Sequence, residues 1–242
     1  MAAIELRAVS KRFGGVSALD NTSLAIADGE FVSILGPSGC GKSTLLFIVA
    51  GLEQASEGEV TCGGTPVTGP GRERNVVFQE YALFPWRDVV GNVTIGLEGH
   101  VPANDVIERA RHYVKLVGLE GFESHYPHQL SGGMKQRTAL ARALAMEPEV
   151  LLMDEPFAAV DAQTRESLQE ELLRIWSGNK MTVLFVTHSI EEAIYLSERI
   201  VVMKPGGIKK TVSVDATYPR GYAFRTSESA LALRTELHEL LR

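Results

Sequence analysis

The stretch Gly36-Pro37-Ser38-Gly39-Cys40-Gly41-Lys42-Ser43 fits G-x-x-x-x-G-K-[ST], the spacing of a loop that wraps nucleotide phosphates. The residue types follow from the task. Several backbone N–H groups must converge on anionic oxygens, and glycines at Gly36, Gly39 and Gly41 allow the chain to come that close. A helix N-terminus opening at the loop's end adds partial positive charge. Lys42 supplies a full charge for the terminal phosphates, and Ser43 offers a hydroxyl to Mg²⁺. The surroundings agree with this reading. Phe31-Val32-Ser33-Ile34-Leu35 is a short buried strand, and the apolar run from Thr44 to Ala50 continues as a helix.

Two further segments carry chemistry of the same kind. Asp154 follows the apolar run Val150-Leu151-Leu152-Met153, and a carboxylate at the end of a buried parallel strand stands beside such a loop, where it can hold Mg²⁺. Glu155 comes next and can accept a proton from an attacking water. Taken alone, Asp154-Glu155-Pro156 would be a polar strand exit. Leu130-Ser131-Gly132-Gly133-Met134 precedes a helix expected from Lys135 to Met146, with Ser131 as N-cap and two glycines exposing N–H groups. This is a second anion-binding helix start, far in sequence from the first.

The elements that must hold these residues are legible from periodicity. Ile4–Arg7, Ser23–Ile26, Glu59–Cys62 and Asn75–Phe78 are strands by pattern, and helical periodicity dominates from about Val90 to Met146. Helix and strand then alternate: the strand from Val150, a helix from Thr164 to Trp176, a strand Val183–Val186, a helix Glu191–Ser197 and a last strand Ile200–Met203. Continuous apolar strands between helices predict a largely parallel sheet covered on both faces. Residues 211–227 are weakly patterned, and Glu228–Leu241 forms a terminal amphipathic helix. Ser189-Ile190-Glu191-Glu192 fits a capping box.

Composition narrows the function. The chain has 242 residues, 45% of them hydrophobic and 22% charged, ordinary globular values. A net charge of −6 gives no global attraction to nucleic acid. No apolar run approaches the ~18 residues of a spanning helix, and no basic-then-hydrophobic export signal opens the chain. Cys40 lies inside the phosphate loop, so pairing with Cys62 would obstruct it, and two free thiols suit a reducing cytosol.

Gly36 to Thr44, Gln79, Leu130 to Gln136, Asp154-Glu155-Pro156, Asp161 and His188 occur in the order and approximate spacing of the ATP-binding cassette proteins. The resemblance extends from Phe13 to the final strand. It implies an α/β fold: a P-loop NTPase core with a mostly parallel sheet, an N-terminal antiparallel β subdomain and an inserted α-helical subdomain. A single ATPase domain would span 1–242, with core segments 1–88 and 147–242 and the helical part at about 89–146. By the same resemblance Phe13 stacks on adenine, Gly36 to Thr44 hold the phosphates, and Ser43, Gln79 and Asp154 serve the Mg²⁺ ion. Glu155 is the general base, with Lys42, Gln79 and His188 completing the catalytic set. Ser131, Gly132, Gly133 and Asp161 belong to the nucleotide site of the opposite subunit in a head-to-tail homodimer that encloses two ATP molecules. On the residues alone, Phe13 could be a core or strand-face aromatic, Gln79 a polar strand end, Asp161 a helix N-cap and His188 structural. Met134 stands where the family commonly has glutamine, and Ala158-Ala159-Val160-Asp161 replaces a Gly-Ala-Leu-Asp pattern.

Between the core and the helical region lies Tyr81-Ala82-Leu83-Phe84-Pro85-Trp86-Arg87. Aromatic surface of this kind marks a partner site or seals a joint between subdomains. The resemblance implies docking of a permease's coupling helix here. The segments Gly69–Gln79 and Leu83–Arg87 look most like the importer branch for nitrate, sulfonates and taurine. That branch implies separate permease subunits, indirectly a solute-binding protein, no nucleic acid, and a peripheral place on the cytoplasmic face of the cell membrane. The alternative within the family is a soluble cassette ATPase for DNA repair or translation, disfavoured by the acidic balance. A kinase or GTPase reading lacks a guanine-reading Asn-Lys-x-Asp.

Overall fold

The computed structural model describes residues 2–158, 160–179 and 181–242. The N-terminal half contains β1 (Ile4–Phe13), β2 (Val16–Ile26), β3 (Phe31–Leu35), α1 (Lys42–Ala50), β4 (Glu57–Cys62), β5 (Thr65–Pro66) and β6 (Arg74–Val77). Three helices follow, α2 (Val89–Thr94), α3 (Ala103–Leu116) and α4 (Gly132–Ala145). The remainder alternates: β7 (Val150–Asp154), α5 (Ala162–Asn179), β8 (Thr182–Thr187), α6 (Ile190–Leu196), β9 (Arg199–Lys204) and β10 (Gly207–Ser213), then α7 (Tyr222–Arg225) and α8 (Glu228–Leu241).

Two sheets result. One is antiparallel, in the order β2-β1-β4-β5. Its strands alternate: Ile4 and Leu6 are buried, while Glu5 and Arg7 pair at the surface. The other has six strands in the order β10-β9-β3-β8-β7-β6, parallel throughout except at β10. All residues of β3, β7 and β8 are buried, as strands covered on both faces must be.

Alternate residues of these strands feed different cores. Val32 and Ile34 pack with Leu45 and Val49 of α1 and with the antiparallel sheet. Phe31, Val183 and Phe185 point the other way, toward Trp176 of α5 and the α2–α4 helices. Leu35, Ile200 and Val202 join a third cluster with Ile194 of α6 and Leu237 of α8. The parallel sheet expected from sequence is present, but Ile200–Met203 is not its last strand. β10 follows β9 after Pro205 and Gly206 and runs antiparallel at the edge. Its exposed Lys209, Lys210 and Thr211 leave no continuous apolar run to mark it, and lysines on an edge discourage pairing with other chains.

Trp176 anchors the second core. It is fully buried, meets the Phe31 ring edge-on at 5.6 Å, and its indole N–H donates to the Met181 carbonyl at 2.9 Å. Replacing Trp176 by Ala leaves a large cavity and an orphaned carbonyl. The expected loss is ~3–5 kcal/mol of unfolding free energy, measured by urea denaturation.

Candidate functional site

Strand register assembles the site. In the parallel ladder Leu35 lies opposite Thr187, Val186 opposite Asp154, and Val77 opposite Met153. The chain therefore leaves β3, β8, β7 and β6 at one level along one edge of the sheet. From these four ends come the glycine-rich loop, His188, Glu155 and Gln79.

Gly36 to Gly41 form a loop whose tip, Pro37 to Gly39, is exposed. Gly41 precedes α1 at φ 103°, and a side-chain carbon there would come within 2.4 Å of the Ala18 carbonyl oxygen on β2. Only glycine serves at that position. The first turn of α1 has no side-chain cap and no acidic residue, so its N–H groups face the loop without competition. Lys42 is 4% exposed and folds back over the loop, its Nζ donating to the carbonyls of Gly36 at 2.9 Å and Pro37 at 3.0 Å. Cys40 and Cys62 are both free and buried, and burial pushes the Cys40 thiol up, away from reactive thiolate.

Across the loop, Ser43 Oγ donates to Asp154 Oδ1 at 2.9 Å. Burial pushes the Asp154 carboxyl up, with the Ser43 hydrogen bond opposing the shift. A buried carboxylate and a hydroxyl converging on one point are hard oxygen donors that fit Mg²⁺. Among the described residues no group of three or more His, Cys, Asp or Glu could hold a metal.

Glu155 sits between two nitrogens. Its Oε1 is 3.8 Å from Lys42 Nζ, and its Oε2 is 2.9 Å from His188 Nδ1. Its backbone is left-handed, φ 42°, an unfavourable conformation for glutamate, and its N–H donates to the Val186 carbonyl at 2.9 Å. The carboxylate is thereby turned back toward the loop. His188 is exposed, on the rim of the site.

The other expected residues lie at the margin of this cluster or apart from it. Phe13, at the end of β1, is 48% exposed with Lys11 Nζ 4.7 Å from its ring centre. It is therefore no core residue. Gln79 is exposed just beyond β6. Ser131 caps α4 by accepting the Met134 N–H at 3.3 Å, and α4 starts at Gly132, three residues before the helix expected from sequence. Gly133 lies so close to α5 that a side-chain carbon would come within 2.4 Å of Thr164 Cγ2. Asp161 accepts the Thr164 N–H at 3.0 Å as the cap of α5. Ser131, Gly133 and Asp161 thus form a second assembly at two adjoining helix starts. Met134 packs against the second core, and Ala159 is outside the described residues.

Two supporting side chains carry no sequence signal of their own, and a third carries a misleading one. Arg142 of α4 donates to the carbonyls of Tyr81 at 3.0 Å and Ala82 at 2.5 Å, residues with φ 35° and 47° that follow Gln79. Asn92, fully buried, exchanges hydrogen bonds with Phe84 and reaches the carbonyls of Arg87 and Asp88, so it shapes the loop that exposes Trp86. Glu192 does not close the expected capping box. Its N–H donates to Ser189 Oγ, but its carboxylate turns inward to the Thr187 hydroxyl at 2.6 Å. Arginine and asparagine inside a helix look like surface residues until their backbone partners in neighbouring loops are seen.

Comparison with known proteins supports the fold and the family. The ABC transporter family model matches residues 19–158. An uncharacterized ABC transporter ATP-binding protein of Methanocaldococcus jannaschii is 55% identical, over 94% of this chain and 85% of that protein. The aliphatic sulfonates import ATP-binding protein SsuB of Bacillus thuringiensis subsp. konkukian is 49% identical, over 94% and 90%. A dimeric ATP-binding cassette in its post-hydrolysis state, bound to ADP and Pi, superposes with a TM-score of 0.79 at 35% identity, over 88% of this chain and all of the other. The chain belongs to the ABC transporter family, as one of its ATP-binding, ATP-hydrolysing cassettes.

Gly41→Ala combines a strained φ with a collision against β2. ATP affinity, titrated with a fluorescent nucleotide, is expected to fall by about tenfold or more, with loss of ~1–3 kcal/mol of stability.

Proposed function

We propose that this chain is the ATP-hydrolysing subunit of an importer for a small solute of the nitrate, sulfonate or taurine type. The observation that carries the catalytic reading is Glu155, poised between Lys42 and His188 on a strand end beside the glycine-rich loop. Lys42 leaves its two carbonyl partners for the terminal phosphates of ATP, and the N–H groups at the start of α1 take the remaining oxygens. Phe13 offers an exposed ring face to adenine. Ser43 and Asp154 hold Mg²⁺ together with the phosphates, and the ion supplies charge neutralisation during transfer. Glu155 accepts the proton of the attacking water, while His188, hydrogen-bonded to it, orients that carboxylate and contacts the terminal phosphate. Gln79 completes the shell when its loop approaches.

One copy has half of what this requires. The capped start of α4 at Ser131 hydrogen-bonds within its own turn and is built from a different part of the fold than the Lys42 loop. A second copy in head-to-tail orientation supplies its Ser131–Gly133 start to close over the nucleotide, with Asp161 at the same junction. The likeness to a dimeric cassette supports this.

Coupling to transport needs another chain. Among the described residues no helix is long and apolar enough to cross a membrane. Trp86 is 71% exposed and stacks edge-on with Phe84 at 5.6 Å, on the loop built by Asn92. We assign this aromatic pair to the coupling helix of a permease subunit at the cytoplasmic face of the membrane. A solute-binding protein then delivers cargo to the permease. The sulfonate-import relative supports the solute class.

Glu155→Gln keeps shape and removes the base. Turnover is expected to fall ~10²–10⁴-fold while ATP still binds and a closed dimer accumulates, seen by phosphate release and light scattering. Steady ATPase activity near wild type would refute the assignment. Trp86→Ala should leave the ATPase rate of the isolated subunit unchanged. It should also abolish co-purification with the permease, a hot-spot loss of about 2 kcal/mol or more.

A further inference from the structure

Beside the catalytic edge runs a half-buried chain of polar contacts that the proposed mechanism leaves unused. Arg165, on the first turn of α5, donates through Nη2 to the Val160 carbonyl at 2.8 Å, immediately before Asp161. Its Nε lies 3.7 Å from Glu192 Oε1 and is buried without a hydrogen bond. The other oxygen, Glu192 Oε2, accepts the Thr187 hydroxyl at 2.6 Å. Thr187 Oγ1 in turn accepts the Ser189 N–H at 3.0 Å. That N–H belongs to the peptide bond joining His188 to Ser189, so its direction fixes how His188 leaves the strand.

Glu192 is costly where it stands. It is 7% exposed among Ala193, Ile194 and Tyr195, and burial pushes its carboxyl up. Packing alone would be served by an apolar residue. Its hydrogen-bond and ion-pair partners are Thr187, Arg165 and the Ser189 cap, and it also feels the charges of His188 and Glu155. The one joint that lacks a hydrogen bond is Arg165 to Glu192. Charge-assisted N–H···O bonds are about 2.7–2.9 Å, so an approach of about 1 Å would close it. Movement of the Asp161 turn is the displacement that Arg165 feels directly, since Arg165 grips the preceding carbonyl.

We propose that Arg165, Glu192 and Thr187 are positioning residues that carry the setting of the Asp161 turn to His188. The inference rests on the reading of Asp161 as a dimer-facing residue and of His188 as part of the catalytic set. When the partner copy presses on the turn at Asp161, the Arg165–Glu192 contact tightens, Thr187 is held, and the His188 ring is fixed against Glu155.

The test uses the full chain with MgATP in single-turnover mode, where slow rates stay readable. Glu192→Gln and Thr187→Val are each expected to lower the hydrolysis rate about tenfold, the weight of one charge-assisted hydrogen bond, with ATP affinity within about twofold of wild type. In a His188→Ala background, itself slow, neither substitution should lower the rate further. Thr187→Val preserves shape and carries the test if Glu192→Gln lowers the folded yield. Wild-type rates in both variants, or an equal loss with and without His188, would overturn the relay alone. Should His188→Ala itself hydrolyse ATP at the wild-type rate, the catalytic reading of His188 fails and the relay with it.

Discussion

Everything at the catalytic edge depends on the register of parallel strands. Ser43 and Asp154 are 111 positions apart, yet their side chains meet at 2.9 Å because β3 and β7 both pair in step with β8. A slip of one residue in that ladder would invert every side chain of the slipped strand and carry its end away from the loop. The register is in turn secured by burial on both faces. Each of β3, β7 and β8 sends alternate residues to opposite cores, so any slip would cross two sets of contacts.

Charge adds a second layer of order. The loop gathers N–H groups around a space meant for anions, and the cations nearby are held by local acceptors. Lys42 lies on two carbonyls with Glu155 at 3.8 Å. A buried ammonium needs such partners. In the proposed mechanism the same acceptors receive it again when phosphates depart. Glu155 is tethered by its strained backbone, and His188 reaches it from the neighbouring strand end.

Much of this was legible in the sequence for a physical reason. Phosphate loops require glycine at fixed places, and buried parallel strands must be apolar throughout, so Gly36 to Ser43, β3, β7 and β8 all leave local marks. The helix at Glu228–Leu241 and the caps at Ser131 and Asp161 were readable by the same logic. What escaped depends on loop and tertiary context that no periodic pattern encodes. β10 is an edge strand with little apolar content. Glu192 looks like half of a capping box until Thr187, five residues earlier, claims its carboxylate. Arg142 and Asn92 look like helix-surface residues, and their carbonyl partners lie in segments whose conformation no local pattern specifies. Phe13 was ambiguous between core and site, and its exposure at the end of β1 removes the first option.

The grip of Arg142 on Tyr81 and Ala82 has a mechanical outcome. Ten residues separate Arg142 from Gly132, a rigid span of about 15 Å along one helix. Two charge-assisted hydrogen bonds tie the far end of that rod to backbone already bent into the left-handed region. A shove on the aromatic loop cannot dissipate locally without breaking them. Those bonds link it to α4, whose other end carries Ser131, so the surface assigned above to a membrane partner and the surface assigned to a twin subunit are two ends of a single lever.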